Sequence, residues 1–195
     1  MTRPVAVAVT GGIGAGKSEA LRAFARHGAA VVSSDEIVHE LLRRDEVKRA
    51  VVERLGHGVV GPDDTLDRGA IASVVFDDRD ALAWLEALLH PLVSAEYLVW
   101  RERLAGLPNP PRVCVTEVPL LYEAGSERHF DKVVVVTAPD ELRRARSEAA
   151  APEREQRLLD DAEKIARADY AYVNDGSLEQ LDGWVARVVA ELSSP

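Results

Sequence analysis

Residues 11–18 read Gly11-Gly12-Ile13-Gly14-Ala15-Gly16-Lys17-Ser18, a match to G-x-x-x-x-G-K-[ST]. The run Val5 to Thr10 before it is apolar and rich in β-branched residues, which predicts a buried strand. Leu21, Phe24 and Ala25 after it recur at i, i+3 and i+4, which predicts an amphipathic helix starting near Gly16. Strand, glycine-rich turn and helix in this order constrain the chain strongly. The turn's N–H groups converge into an anion-binding nest, and the helix adds its positive dipole end at the same point. Lys17 brings a charge able to reach β- and γ-phosphates, and Ser18 a hydroxyl for Mg²⁺. The stretch from Gly12 through Ile13, Gly14, Ala15, Gly16 and Lys17 to Ser18 is therefore the candidate site for a nucleoside triphosphate.

The rest of the chain alternates strand and helix signals. Ala29 to Val32, Val113 to Glu117 and Lys132 to Thr137 read as buried strands, and Tyr170 to Val173 as a last short strand. Between them, Glu36 to about Leu104 reads as several helices, with Pro91 opening the first turn of one. This pattern predicts an α/β fold with a parallel sheet covered on both faces. One domain over 1–195 is expected, with a helical insertion at 36–105 and a charged helical segment at 140–165 broken near Ala151-Pro152. Ser177 to Gln180 reads as a capping box that opens the last helix.

The formal net charge of −9 argues against sequence-independent binding of nucleic acid, while a local basic pocket still suits an anionic substrate. No apolar run approaches the roughly 20 residues needed to cross a bilayer, and no signal-peptide pattern precedes Val5. A cytoplasmic protein without membrane or nucleic-acid partners is expected, a monomer being the simplest state. Cys114, the single cysteine, lies in an apolar run and reads as a buried thiol. Trp84, Trp100 and Trp184 read as core residues on helical faces.

Charged residues at strand ends are the candidates for chemistry, because open parallel sheets bind ligands at that edge. Asp35 follows the second strand, where a carboxylate can orient an acceptor hydroxyl; the alternative is a helix N-cap. Glu117 ends the third strand, where a carboxylate binds Mg²⁺ directly or through water. Arg143, Arg144 and Arg146 follow the fourth strand, where a guanidinium can meet developing phosphoryl charge; the alternative is a solvated helix face. Of these, Arg143 and Arg146 join Asp35 and Lys17 as candidate catalytic groups. His90 reads either as a satisfied structural histidine or as a donor to substrate.

With these residues assembled, the sequence resembles the dephospho-CoA kinase family over nearly its full length. The resemblance is carried by the glycine-rich loop, Ser34-Asp35-Glu36-Ile37, Thr65-Leu66-Asp67-Arg68 and Trp84-Leu85 through Leu88-Leu89-His90-Pro91. Val118-Pro119-Leu120-Leu121-Tyr122-Glu123 and Ala166-Arg167-Ala168-Asp169 with Val173 to Ser177 complete it. It implies a P-loop kinase: a three-layer sandwich with a helical substrate-binding insertion and a short lid. It also implies transfer of a phosphoryl group from Mg·ATP to the ribose 3′-hydroxyl of dephospho-CoA. By position, Asp35 would be the catalytic carboxylate. Arg68, His90 and Pro119-Leu120-Leu121 would face the acceptor with it, and Asn174 and Gly176 would lie near adenine.

The sequence departs from the family pattern at three places. Glu19 follows Ser18 where the family has Thr, so only its backbone N–H is left to help hold ATP. Ser33 stands where the family has Asp, and the segment between Arg146 and Lys164 is short. A kinase of another small metabolite, or a nucleotide-binding regulatory protein with weakened turnover, are the competing readings. No N-K-x-D segment favours a GTPase switch.

Overall fold

The computed structural model describes residues 3–146 and 158–194. Its five strands are β1 (Val5–Thr10), β2 (Ala30–Ser33), β3 (Val113–Glu117), β4 (Lys132–Thr137) and β5 (Tyr170–Val173). The helices among the described residues begin with α1 (Lys17–Arg26), α2 (Ser34–Leu41), α3 (Asp45–Leu55) and α4 (Arg68–Asp77). They continue with α5 (Arg79–Ala105), α6 (Asp140–Arg146), α7 (Asp161–Arg167) and α8 (Leu178–Leu192). The strands form one parallel sheet in the order β2-β3-β1-β4-β5. Two compact units divide the chain: Met1–Ser34 with Val99–Pro195, and Asp35–Leu98.

In the first unit, period-two alternation decides which side chains go to which face of the sheet. Val7, Val9, Val113, Val115, Val134 and Val136 share one buried cluster with Leu21 and Phe24 of α1 and Leu181 and Val185 of α8. Burying a side chain such as Phe24, which is fully enclosed, stabilises the fold by about 1.5–3 kcal/mol. Ala8, Val133 and Val135 point the other way and pack with Val118, Leu121 and Tyr122, joined by Leu159 and Ala168. The valine runs are thus buried on both sides, as strands of an internal parallel sheet must be. Cys114 is buried, and the loss of hydration pushes its thiol up to about 11, which suits a structural residue.

The second unit is helical and has its own apolar interior, including Leu41, Val47, Val51, Val59 and Ile71. Asp67 caps α4 by accepting from the N–H groups of Gly69 and Ala70. A Lys48–Asp64 ion pair of 2.7 Å and an Arg44–Glu96 pair of 2.6 Å tie the surface of this unit.

Four expectations are corrected. Pro91 does not open a helix: α5 runs unbroken from Arg79 to Ala105 with Pro91 inside it. Pro91 forfeits the hydrogen bond to Ala87 and costs about 3 kcal/mol, but Leu85, Leu89, Val93 and Tyr97 form a buried stripe at i+4 spacing. At about 1.5–3 kcal/mol each, those four side chains outweigh the proline. The expectation that no apolar run is long enough to cross a bilayer also fails: this helix is long and apolar enough by length and composition, with one stripe of it buried in the protein. Trp84, Trp100 and Trp184 are half-buried rather than enclosed, Trp184 lying with its ring centre 5.0 Å from that of Tyr172. Asp35 is the second residue of α2, which starts at Ser34, so it does not hold the cap position. The expected break at Ala151-Pro152 lies outside the described residues.

Candidate active site

The loop after β1 closes tightly on itself. Gly12 carbonyl oxygen accepts from the Ala15 N–H at 3.3 Å and from Lys17 Nζ at 2.9 Å. Gly16, at φ 100°, holds the turn into α1, and a Cβ there would stand 2.2 Å from Asn174 Nδ2. Only glycine fits this place without strain. The ammonium of Lys17 and the first N–H groups of α1 are therefore gathered at one point, the arrangement an anionic phosphate chain requires. Ser18 is exposed in the first turn of α1.

Two side chains from other elements buttress the loop. Buried Asn174, one residue past β5, donates from Nδ2 to Ala15 carbonyl oxygen at 2.9 Å. Its own carbonyl accepts from Arg146 Nη1 at 3.0 Å. Arg143 of α6 is buried, and its Nη1 lies where it would stand 1.9 Å from a Cβ on Gly12. Asp140 holds Nη2 at 3.0 Å, and Asp161 of α7 holds Nη1 at 3.4 Å. Gly176 is pressed against Gln180, which completes the capping box of α8 with Ser177.

At the carboxyl edge of the sheet, Glu117 pairs in register with Val9 on one side and Ser33 on the other. Its side chain is buried one strand away from the glycine-rich loop. The following segment, Pro119-Leu120-Leu121, is tied to β1 through Thr10 Oγ1, which donates to Pro119 carbonyl oxygen at 3.2 Å. Glu123 receives the Leu159 N–H at 2.8 Å and lies 3.3 Å from the fully buried Lys164. The Lys164 contact is an ion pair without hydrogen-bond alignment. Arg167 stacks its guanidinium 4.1 Å from the centre of the Tyr122 ring and pairs with Glu127 at 2.7 Å.

Glu19 turns out of the loop. Its carboxylate bonds Arg22 at 3.0 Å and Arg26 at 3.1 Å, and Arg26 continues to Asp182 of α8 at 2.7 Å. The Arg22 bond, ahead of that to Arg26, holds the Glu19 carboxyl below its ordinary range. Its backbone N–H points to Gly16 carbonyl oxygen at 3.1 Å. The charge that replaces the family's hydroxyl is thus neutralised by two guanidinium groups.

Asp35, exposed, opens the second unit, directly after Ser34 at the carboxyl end of β2. Arg68 is the exposed first residue of α4, and half-buried His90 precedes Pro91 in α5. The roles of Asn174 toward Ala15 and of Asp161 toward Arg143 join residues 159 and 18 positions apart. The polar residue after β5 flags the first in the sequence; nothing local flags the second.

The dephospho-CoA kinase family model matches residues 5–180. This chain belongs to the dephospho-CoA kinase family. A dephospho-CoA kinase of Streptomyces avermitilis is 38% identical over 194 residues, covering 95% of this chain and 93% of its own. A solved Thermus thermophilus structure superposes with a TM-score of 0.79 at 32% identity, covering 99% of this chain and 100% of that one. The solved dephospho-CoA kinase of Campylobacter jejuni gives 0.73 at 25% identity, with 96% of each chain covered. The family's members are ATP-dependent kinases, and the chain has the α/β fold of a P-loop kinase.

Proposed function

We propose that this protein transfers the γ-phosphoryl group of ATP to the ribose 3′-hydroxyl of dephospho-CoA, giving CoA and ADP. The observation that carries the reading is the Lys17 loop, closed on Gly12 and buttressed by Asn174 within a chain matched by the family model over 5–180. The 3′-oxygen attacks the γ-phosphorus, and the bond from that phosphorus to the β–γ bridging oxygen breaks. Asp35 takes the hydroxyl proton and aims the oxygen; because the transition state is loosely bonded, aim counts for more than proton removal.

Lys17 exchanges the Gly12 carbonyl for a phosphate oxygen when nucleotide enters. Arg146, exposed and bonded to a carbonyl, meets the developing charge, while Arg143, held by two carboxylates, supports the loop. Arg68, His90 and the Pro119-Leu120-Leu121 turn face the acceptor, and Asn174 and Gly176 border the adenine. No group of three or more metal-ligating side chains occurs among the described residues. The hard oxygens of Ser18 and Glu117 suit Mg²⁺, which keeps its waters and phosphate ligands and needs one or two protein oxygens. Ser18 and buried Glu117 are the residues that would supply them. When bound, the ion neutralises phosphate charge. A cytoplasmic location goes with this reading.

The test is purified protein with Mg·ATP and either dephospho-CoA or adenosine. ADP and CoA forming together, and only with dephospho-CoA, is the expected result. ADP released at the same rate without acceptor, or with adenosine, contradicts it.

A further inference from the structure

A small polar cluster joins three elements beneath the phosphate loop. Thr137 ends β4, Arg143 lies in α6, and Asp161 opens α7 on the far side of residues 147–157. One oxygen, Asp161 Oδ2, accepts from both Thr137 Oγ1 and Arg143 Nη1. The same Nη1 covers Gly12, and the carbonyl oxygen of Arg143 would stand 2.5 Å from a Cβ on Gly14. Asp140 takes the other terminal nitrogen, Nη2. All of these groups belong to the first unit.

We infer that Asp161 is a positioning residue for nucleotide binding: through the oxygen it shares with Thr137, it fixes the Arg143 guanidinium against Gly12 and so holds the phosphate loop in its binding shape. The physical argument rests on geometry and burial. An arginine side chain carries about 2 kcal/mol of rotamer entropy, so an unrestrained one does not define a neighbouring backbone. A carboxylate on each of the two terminal nitrogens, with burial of the side chain, restricts that freedom. Thr137, buried at the end of a strand hydrogen-bonded to β1 and β5, in turn fixes Asp161. Rigidity passes from the sheet to the loop by way of a hydroxyl, a carboxylate and a guanidinium. A loop already in its binding shape loses less freedom when nucleotide arrives.

The inference rests on the reading of residues 11–18 as the ATP site, and its test needs no acceptor. Mg·ATP is titrated calorimetrically into the wild-type chain and into Asp161→Ala, Asp161→Asn and Thr137→Val, with thermal melting alongside. Asp161→Ala is expected to weaken ATP binding about tenfold, the size of a coupling between residues in one network. Asp161→Asn keeps an oxygen that accepts from both partners and restores most of that loss. Thr137→Val, which keeps the shape and removes the hydroxyl, weakens binding about threefold. In turnover the loss falls on the KM for ATP, with kcat changed by less than about twofold. A lower melting temperature with unchanged ATP affinity in Asp161→Ala and Thr137→Val overturns the proposal and leaves Asp161 a structural anchor. A wild-type chain that does not bind Mg·ATP overturns both this proposal and the reading of the loop. Dephospho-CoA failing as acceptor while the affinities change as stated overturns only the acceptor.

Discussion

Asn174 Nδ2 donates to the carbonyl oxygen of Ala15 across 159 residues of sequence, at 2.9 Å. Both groups are buried, so neither has water as an alternative partner. The bond joins the end of β5 to the phosphate loop, the two segments that border the nucleotide in the proposed reaction.

Asn174→Ala leaves the Ala15 carbonyl without this donor, and an orphaned buried acceptor costs about 1–3 kcal/mol. Denaturant unfolding should show a loss of that size. ATP affinity should fall with it, because Gly16 loses the group packed against it. Full stability in the variant would mean that the loop is held by other contacts.

Lys17→Ala should fold normally, since the half-buried side chain lies on the phosphate loop, where it bonds the Gly12 carbonyl, and outside the two buried apolar clusters of the sheet. Phosphoryl transfer should drop by a factor of about 100 or more, the usual loss on removing one preorganised group from developing charge. Circular dichroism and a melting curve matching wild type, with turnover lost, is the expected pair of results.

Glu19→Thr restores the family's residue and should leave the KM for ATP unchanged, because the Glu19 carboxylate already faces Arg22 and Arg26. Its effect should appear in the pH dependence of stability. The Arg22 bond, then that to Arg26, depresses the folded carboxyl below its ordinary value of 4.5, so the stabilisation is present above that pH. It is lost as pH falls through the lower folded value. Wild type should therefore lose its advantage over Glu19→Thr in acid melts below about pH 4.5 and keep it near neutrality.

Glu123→Ala removes the counter-charge of Lys164, which is fully buried. Breaking a buried pair from one side costs about 3–5 kcal/mol, whereas the double change Glu123→Ala with Lys164→Met should recover part of it. Chemical unfolding of the single and double variants measures both.

Much of the fold could be read from the chain because its signals are local. The valines of β1, β3 and β4 sit beside glycines and prolines that bound them, and the loop at Gly11 fixes the strand before it and the helix after it. Ser177 and Gln180 form their capping box within four residues. Pro91 misleads for the opposite reason: its cost is local, while the stripe from Ala81 to Tyr97 that overrides it depends on what packs against it. The candidate site divides in the same way. Lys17, Ser18 and Asp35 follow strands and Glu117 ends one, so position alone picks them out. The support of Gly12 by Arg143 and Asp161 could not, since the acidic residues near Asp161 also read as a charged helix face. Glu19 shows a third case, in which the sequence reveals a like charge near the phosphates and only the structure reveals the two arginines that take it away.

Identification of the product by mass spectrometry and phosphorus NMR, after incubation with Mg·ATP and dephospho-CoA, decides whether the Lys17 loop serves the proposed transfer. A phosphomonoester on the ribose 3′-oxygen, formed with one ADP per CoA by wild type and absent with Lys17→Ala, is the predicted result. ADP accumulating without that phosphomonoester, or CoA forming equally well in Lys17→Ala, would contradict it.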